Sequence, residues 1–178
     1  ALGLASERIG QQAVVQMSDK DNLKLGDVLD CVNDERVLMD HYDDKIALVS
    51  NWTPPLKLTF RRLPSMSGNL VKISMIPNSK WRTRWFSLEG SKLLYRRNKE
   101  DKDYAKGELS LYACSVCLVK PSEADGRLFC FKVLTTQGGM ILQAESERDM
   151  LQWAAAVHHT TSLLNGTLRG LKSTNAKK

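Results

Sequence analysis

Residues 81–88 read Trp-Arg-Thr-Arg-Trp-Phe-Ser-Leu, and this stretch has the aromatic and apolar composition of a β-strand. Side chains two apart in a strand face the same way, so Arg82 and Arg84 project together while Thr83 and Trp85 face the other side. The stretch therefore predicts a strand that presents two guanidinium groups on one of its faces.

Six further strand patterns surround it, separated by Pro, Gly and Asn turn signals every ten or so residues. The seven predicted strands span 69–75, 82–88, 92–97, 107–112, 116–119, 128–134 and 140–144. Many short strands at regular spacing predict an antiparallel barrel or sandwich.

A helix is predicted directly after the last of these strands. Ser146 is a suitable N-cap, and Asp149 three residues later resembles a capping box. Apolar side chains then recur at helical spacing: Met150, Trp153, Ala154 and Val157. Such a stripe predicts a core-facing helix with Trp153 packed inside.

The first part of the chain has a different pattern. Strands are predicted over 13–17, 26–33 and 56–60, with a helix that begins after Asp40 as its N-cap and carries acidic residues in its first turn. We therefore divide the chain into an N-terminal domain (1–62), a linker (63–69), a second domain (70–164) and a flexible basic tail (165–178).

Positive charge is concentrated in one part of the sequence. The chain has 178 residues and a formal net charge of +6, yet residues 1–62 hold 8 Lys or Arg and 10 Asp or Glu. Residues 72–106 alone hold 10 basic and 4 acidic side chains. This concentration predicts an anionic partner surface.

Other function classes find no support in the sequence. No nucleophile–base pairing, P-loop or metal-ligand set indicates an enzyme, so no cofactor or metal is expected. Cys114 and Cys117 form a lone CxxC, which favours reduced cysteines and a cytoplasmic protein. Neither an RRM nor a KH motif appears, so no nucleic-acid partner is expected. The longest apolar runs are shorter than the roughly 18–20 residues that span a bilayer, so membrane contact would be peripheral.

Seven strands closed by a helix with a central tryptophan resemble the pleckstrin-homology (PH) domain. The stretches at 81–88, 93–95, 129–133 and 142–147 resemble in particular the PH domains of Arf GTPase-activating proteins. The resemblance implies a non-enzymatic module that binds phosphoinositide membranes. It also implies a small GTPase of the Arf class as a partner, contacted by a catalytic zinc-finger domain encoded beyond Lys178.

The same resemblance implies a set of headgroup ligands. Lipid-binding PH domains share a Lys on the first strand and a basic-x-Arg-apolar-apolar motif on the second, and here Lys72 and Arg82-Thr83-Arg84-Trp85-Phe86 match that pattern. Arg84 would be the central phosphate ligand and Lys72 its neighbour, with Tyr95 as a hydroxyl donor and Lys106 as a further cation. Lys80 and Arg82 would meet either the headgroup or bulk anionic lipid.

The loop before this motif contains apolar Met75-Ile76-Pro77, where a polar loop is usual. Local packing and partial insertion into a membrane interface both explain it.

Residues 1–62 resemble a truncated or degenerate PDZ domain. Ala1-Leu2-Gly3-Leu4 is similar to the loop that holds a peptide carboxylate, and His41 falls where a ligand-contacting helix begins. The resemblance implies that Leu2, Gly3, Leu4 and His41 bind a C-terminal peptide, although Lys45 occupies a place where a small apolar residue is usual. A helix-start histidine without a ligand role explains His41 equally well. The alternative function is thus a protein–protein adaptor in which the PH fold is a scaffold.

Overall fold

The structure, a computed structural model, describes residues 4–101 and 105–166. Within them the chain forms twelve strands, two α-helices and one 3-10 helix. The strands are β1 (Leu4–Ile9), β2 (Gln12–Ser18), β3 (Val28–Val32), β4 (Glu35–Arg36), β5 (Leu58–Arg61), β6 (Met66–Ser74), β7 (Arg82–Glu89), β8 (Lys92–Arg96), β9 (Gly107–Ser110), β10 (Ser115–Val119), β11 (Cys130–Thr135) and β12 (Gly138–Gln143). The α-helices are α1 (Tyr42–Ser50) and α2 (Glu147–Leu164), and the 3-10 helix spans Pro121–Glu123.

The strands form two sheets. In the first sheet β1, β2, β3 and β4 are neighbours in that order, and β5 pairs with β3. The second sheet has seven antiparallel strands in the order β10-β11-β12-β6-β7-β8-β9, and α2 packs against β10 and β11. The prediction of a mainly β chain, with two helices and a seven-stranded antiparallel sandwich closed by a helix, is confirmed. No helix of the described residues is long and apolar enough to cross a membrane.

Several strand ends differ from the predicted ones because the backbone turns there. Ala113 (φ 56°) and Phe129 (φ 59°) adopt left-handed conformations, so β9 ends before the first and β11 begins after the second. The sheet also extends further back than predicted, since β6 begins at Met66. Residues 66–69, expected in the linker, are therefore part of that strand.

The helix starts follow local capping chemistry. The Ser146 hydroxyl accepts a hydrogen bond from the Asp149 backbone N–H at 3.1 Å, as the sequence predicts. The N-cap of α1 is His41, so the prediction of Asp40 at that position is wrong. Asp40 instead donates its backbone N–H to the Val37 carbonyl, which closes a turn before the helix begins.

The second sheet and α2 share a densely packed interior. Phe86 and Leu88 of β7 are buried together with Leu93 of β8, while Trp153 and Val157 of α2 cover them from the helix side. The predicted apolar stripe of α2 is thus the core-facing side of the helix.

The N-terminal sheet packs against this interior. Val14, Val28, Leu38 and Leu63 belong to one buried cluster with core residues of the second sheet and with Leu163 and Leu164 at the end of α2. One continuous apolar core therefore joins the two parts of the chain.

The N-terminal sheet contacts the second sheet at the end formed by the β7–β8 turn. Gly26 (φ 89°) lies so close to Gly90 in that turn that a Cβ at position 26 would overlap the Gly90 Cα atom. Because β7 runs from the β6–β7 loop towards Gly90, the N-terminal sheet lies at the opposite end of β7 from the basic loop.

We predict that Leu38→Ala destabilises both parts of the chain together. Leu38 is 1% exposed in the shared core, so the truncation should lower the free energy of unfolding by about 2–5 kcal/mol. Denaturant unfolding combined with amide hydrogen exchange of α2 measures the effect.

The matched control is Leu48→Ala. Because Leu48 is 40% exposed, this truncation should lower the free energy of unfolding by less than about 0.5 kcal/mol. A shared core would be contradicted if Leu38→Ala lost protection against amide hydrogen exchange in the first sheet while α2 kept its protection.

Candidate functional site

A cleft of about 380 Å³ opens at the β6–β7 loop end of the second sheet. All six residues predicted as headgroup ligands line it: Lys72, Lys80, Arg82, Arg84, Tyr95 and Lys106. They come from β6, the β6–β7 loop, β7, β8 and the residue before β9. The fold thus brings together side chains that are up to 34 residues apart in the sequence, counted from Lys72 to Lys106.

Strand register explains why these side chains converge. Lys72 of β6 is directly opposite Arg82 of β7. Arg82 and Arg84 alternate with Thr83, so they share the face of β7 that buries Phe86 further along the strand. The face that forms the core at one end of β7 therefore forms the cleft at the other.

Lys72 lies at the bottom of the cleft and is only 9% exposed. Its ammonium donates to the Ser74 hydroxyl at 2.9 Å and lies 4.4 Å from the centroid of the Tyr95 ring. Burial lowers the pKa of Lys72, and the neighbouring Arg84 and Arg82 lower it further. The cations of the cleft repel one another, so an anion bound there would relieve that repulsion.

Tyr95 is held on the opposite wall by a close backbone approach. The Tyr95 carbonyl accepts a hydrogen bond from the Lys106 N–H at 2.8 Å, and Tyr95 is directly opposite Gly107. A Cβ at position 107 would overlap the Tyr95 hydroxyl, so the glycine lets the ring lie against β9. These two contacts fix the position of the Tyr95 ring and of the Lys106 backbone.

The cations of the cleft form no ion pair with any carboxylate that the structure describes. Arg84 donates to the Thr83 carbonyl at 2.8 Å. Within residues 4–101 and 105–166, no ion pair joins a carboxylate to any of the five cations of the cleft. Their charges are thus available to an external anion.

The β6–β7 loop contributes polar residues that sequence reasoning missed. Ser74, Asn78 and Ser79 also line the cleft. The Ser79 hydroxyl accepts a hydrogen bond from the Ser74 N–H at 3.1 Å, and Asn78 adopts a left-handed conformation (φ 60°). Turn-forming Asn and Ser between two strands were the only available signal, and they indicate a turn without indicating a ligand role.

The apolar residues of this loop are exposed at the cleft entrance. Ile76 is 63% exposed and Met75 is 47% exposed, and Ile76 and Pro77 line the cleft. Most of the Ile76 surface lies in water, so local packing does not account for an apolar side chain at this place.

The arrangement suits a multiply charged oxyanion. Guanidinium forks and ammonium groups bind phosphate oxygens through charge-assisted hydrogen bonds, and hydroxyl and amide groups complete such a site. Among the described residues, no group of three His, Cys, Asp or Glu side chains could hold a metal ion.

A protein-family model for the PH domain matches residues 64–162, which is more than half of the chain. The chain belongs to the PH domain family. The solution structure of the PH domain of human oxysterol binding protein-related protein 11 has the same fold, with a TM-score of 0.50 and 18% identity. The match covers 66% of this chain and 96% of that domain.

Curated relatives of this PH domain are parts of much longer proteins. Human Arf-GAP with coiled-coil, ANK repeat and PH domain-containing protein 3 is 37% identical over 93 residues. The rat protein named as number 2 of that series is 33% identical over 92 residues. Each match covers 52% of this chain and 11% of the relative, so the chain spans about a ninth of their length.

Of the predicted peptide-binding residues, the structure describes only Leu4 and His41. Leu2 and Gly3 lie outside the described residues, Leu4 is the first residue of β1, and His41 is the exposed N-cap of α1. The predicted strands and helix of residues 1–62 correspond to β2, β3, α1 and β5, whereas β1 and β4 were not predicted. Peptide binding stays a prediction.

Lys45, expected beside the peptide groove, is instead fully buried. Its ammonium donates to the Gln11 carbonyl and the Gln12 side-chain oxygen, both at 2.8 Å, and to the Leu38 carbonyl at 3.0 Å. Burial lowers the pKa of Lys45 to about 8, while the nearby Asp40 opposes this change. Three oxygen acceptors therefore satisfy a lysine that forms no ion pair with a carboxylate in the part of the chain that the structure describes.

We predict that Lys45 makes the chain more stable as the pH rises from about 8 towards 10.5. The folded state releases the Lys45 proton near pH 8, whereas the unfolded chain keeps it until about 10.5. The unfolded state then binds more protons, so the free energy of unfolding increases with pH in this window, by up to about 3 kcal/mol.

Denaturant unfolding at several pH values checks this, with Lys45→Met as the comparison. Above pH 8, the free energy of unfolding of the wild type should increase relative to that of Lys45→Met. Parallel pH dependences would show that Lys45 keeps its ordinary pKa in the folded state.

Proposed function

We propose that this chain is a non-enzymatic module that targets membranes by binding phosphoinositide headgroups in the cleft of its PH domain. The observation that supports this is the composition of the cleft. Five cations and a tyrosine converge there, and no carboxylate is among the lining residues that belong to 4–101 or 105–166. PH domains are in general binding modules without catalytic activity. The proposal makes the module cytoplasmic and peripherally membrane-associated.

Each residue has a distinct role in the proposed complex. Arg84 is the central phosphate ligand, because its guanidinium can bind two oxygens of one phosphate. Lys72 adds a second charge from the bottom of the cleft, and Tyr95 donates its hydroxyl. Lys106 reaches the headgroup from the opposite wall. Lys80 and Arg82 are more exposed and contact the headgroup edge or neighbouring anionic lipids.

The larger setting we propose is an Arf GTPase-activating protein. Several curated relatives of the PH domain are named Arf-GAPs, and their identities over the matched residues are 31–37%. In this setting the PH domain brings a catalytic domain outside this chain to the membrane that holds its small GTPase.

We predict that Arg84→Ala lowers affinity for vesicles containing phosphatidylinositol bisphosphate by about tenfold to a hundredfold, because a charged hydrogen-bond partner of the phosphate is lost. The measurement is co-sedimentation with such vesicles and with phosphatidylserine vesicles of equal charge density.

Arg97→Ala is the matched control, since Arg97 is exposed and does not line the cleft. It should weaken binding to both vesicle types alike, at about 1 kcal/mol per basic residue. Equal losses from Arg84→Ala and Arg97→Ala on every vesicle type would contradict a headgroup site.

We further propose that Ile76 enters the membrane interface when the cleft binds its headgroup. A side chain that is 63% exposed at the cleft entrance can leave water there, which adds affinity beyond the electrostatic attraction.

Ile76→Ser should therefore weaken vesicle binding about threefold to tenfold and leave the affinity for a soluble inositol tetrakisphosphate unchanged. Leu118→Ser is the control, since Leu118 is 55% exposed but lies on β10, outside the cleft lining. Insertion is excluded if the two variants bind vesicles equally well.

A further inference from the structure

The connection between β10 and β11 folds back over the outer face of the second sheet. Its 3-10 helix, Pro121–Glu123, leads into a turn at Asp125 (φ 52°) and Gly126 (φ 78°). Beneath it a small separate core forms from Val119, Ala124 and Cys130, with Trp81 and Ile141 packed against it. Trp81 is thus an outer-face residue with a packing environment of its own.

Polar contacts hold Trp81 at this place. The indole N–H donates to an Asp125 carboxylate oxygen at 2.7 Å, and the Arg127 guanidinium lies 4.6 Å from the centroid of the indole ring. Arg127 is itself held by a 2.6 Å hydrogen bond to the Gln143 side chain. We refer to Trp81, Asp125 and Arg127 as the Trp81 cluster.

The position of Trp81 in the chain connects this cluster to the cleft. Trp81 lies between Lys80 and Arg82, which both line the cleft. Neighbouring residues of an extended segment face opposite sides, so holding Trp81 on the outer face directs Arg82 to the cleft face.

The other end of the loop is held by separate contacts. The Met75 N–H donates to the Gly139 carbonyl at 2.8 Å, and the Ser74 N–H donates to the Ser79 hydroxyl. The Ser74–Ser79 bond joins the two sides of the loop, and the Trp81 cluster anchors the β7 side to the β10–β11 connection.

We infer that the Trp81 cluster positions the β6–β7 loop for headgroup binding, with Asp125 and Arg127 as positioning residues that do not touch the ligand. The inference rests on the proposed function. The expected change in anion affinity on removing Asp125 is opposite to the one that charge alone predicts. Asp125 is an acidic side chain near a cationic cleft, so by electrostatics its removal should strengthen anion binding. As a positioning residue, its removal weakens binding, because loop ordering must then accompany association.

Isothermal titration with soluble inositol tetrakisphosphate tests this on the full chain. Asp125→Gly removes the carboxylate at a left-handed position that glycine tolerates. Trp81→Phe removes the indole N–H donor together with the five-membered ring and keeps an aromatic side chain. Each should raise the Kd about threefold to tenfold. The Kd of the double variant should not exceed that of the single variant that binds less tightly. Asp125→Asn keeps an acceptor oxygen and should bind within about twofold of wild type.

Glu123→Ala is the matched control because it removes one carboxylate from the same connection. Glu123 pairs with Lys132 at 3.2 Å, whereas the Trp81 indole donates to Asp125. It should bind as tightly as wild type or more tightly. If Asp125→Gly behaves like Glu123→Ala, or Trp81→Phe binds like wild type, the inference is overturned.

Arg84→Ala in the same titration separates the two proposals. Undiminished binding by Arg84→Ala overturns the headgroup site itself. Weakened binding by Arg84→Ala beside wild-type binding by Asp125→Gly overturns only the positioning role.

Discussion

The alternation of side chains along β7 is the constraint on which the core and the cleft both depend. Phe86 and Leu88 enter the core, and the same face carries Arg84 and Arg82 towards the open end of the sheet. A shift of one residue in the pairing with β6 would turn the arginines outwards and bring Trp85 inwards. The burial of the core residues therefore also fixes the direction of the two arginines.

Gathering five cations in one cleft opposes stability in the free protein. Lys72 is buried beside Arg82 and Arg84, and both burial and their charges lower its pKa. The Ser74 hydroxyl and the Tyr95 ring compensate part of this cost by accepting its hydrogen bond and by cation–π attraction. Lys45 gives a contrasting case, since its side chain is fully buried and three protein oxygens accept hydrogen bonds from its ammonium.

The sequence predicted the elements whose signals are local. Strand alternation around Arg84 and the stripe around Trp153 depend on neighbouring residues, so the seven-stranded sheet and α2 could be derived without the structure. The convergence of Lys72, Tyr95 and Lys106 was predicted only through the family resemblance, since strand order does not follow from spacing alone. Three features depend on tertiary packing and therefore cannot be predicted from a local pattern. They are the cap of α1 at His41, the burial of Lys45 and the contact of Trp81 with Asp125.

We propose that one face of β7 presents a site for a phosphorylated inositol. An NMR titration of the chain with soluble inositol tetrakisphosphate, following backbone amides and the Lys72 ammonium, tests this directly. We expect the largest shifts at residues 72–84, 95 and 106, and we expect the pKa of Lys72 to rise when the anion binds. Shifts confined to the N-terminal sheet or to the outer-face side chains of β7, with an unchanged Lys72, would contradict it.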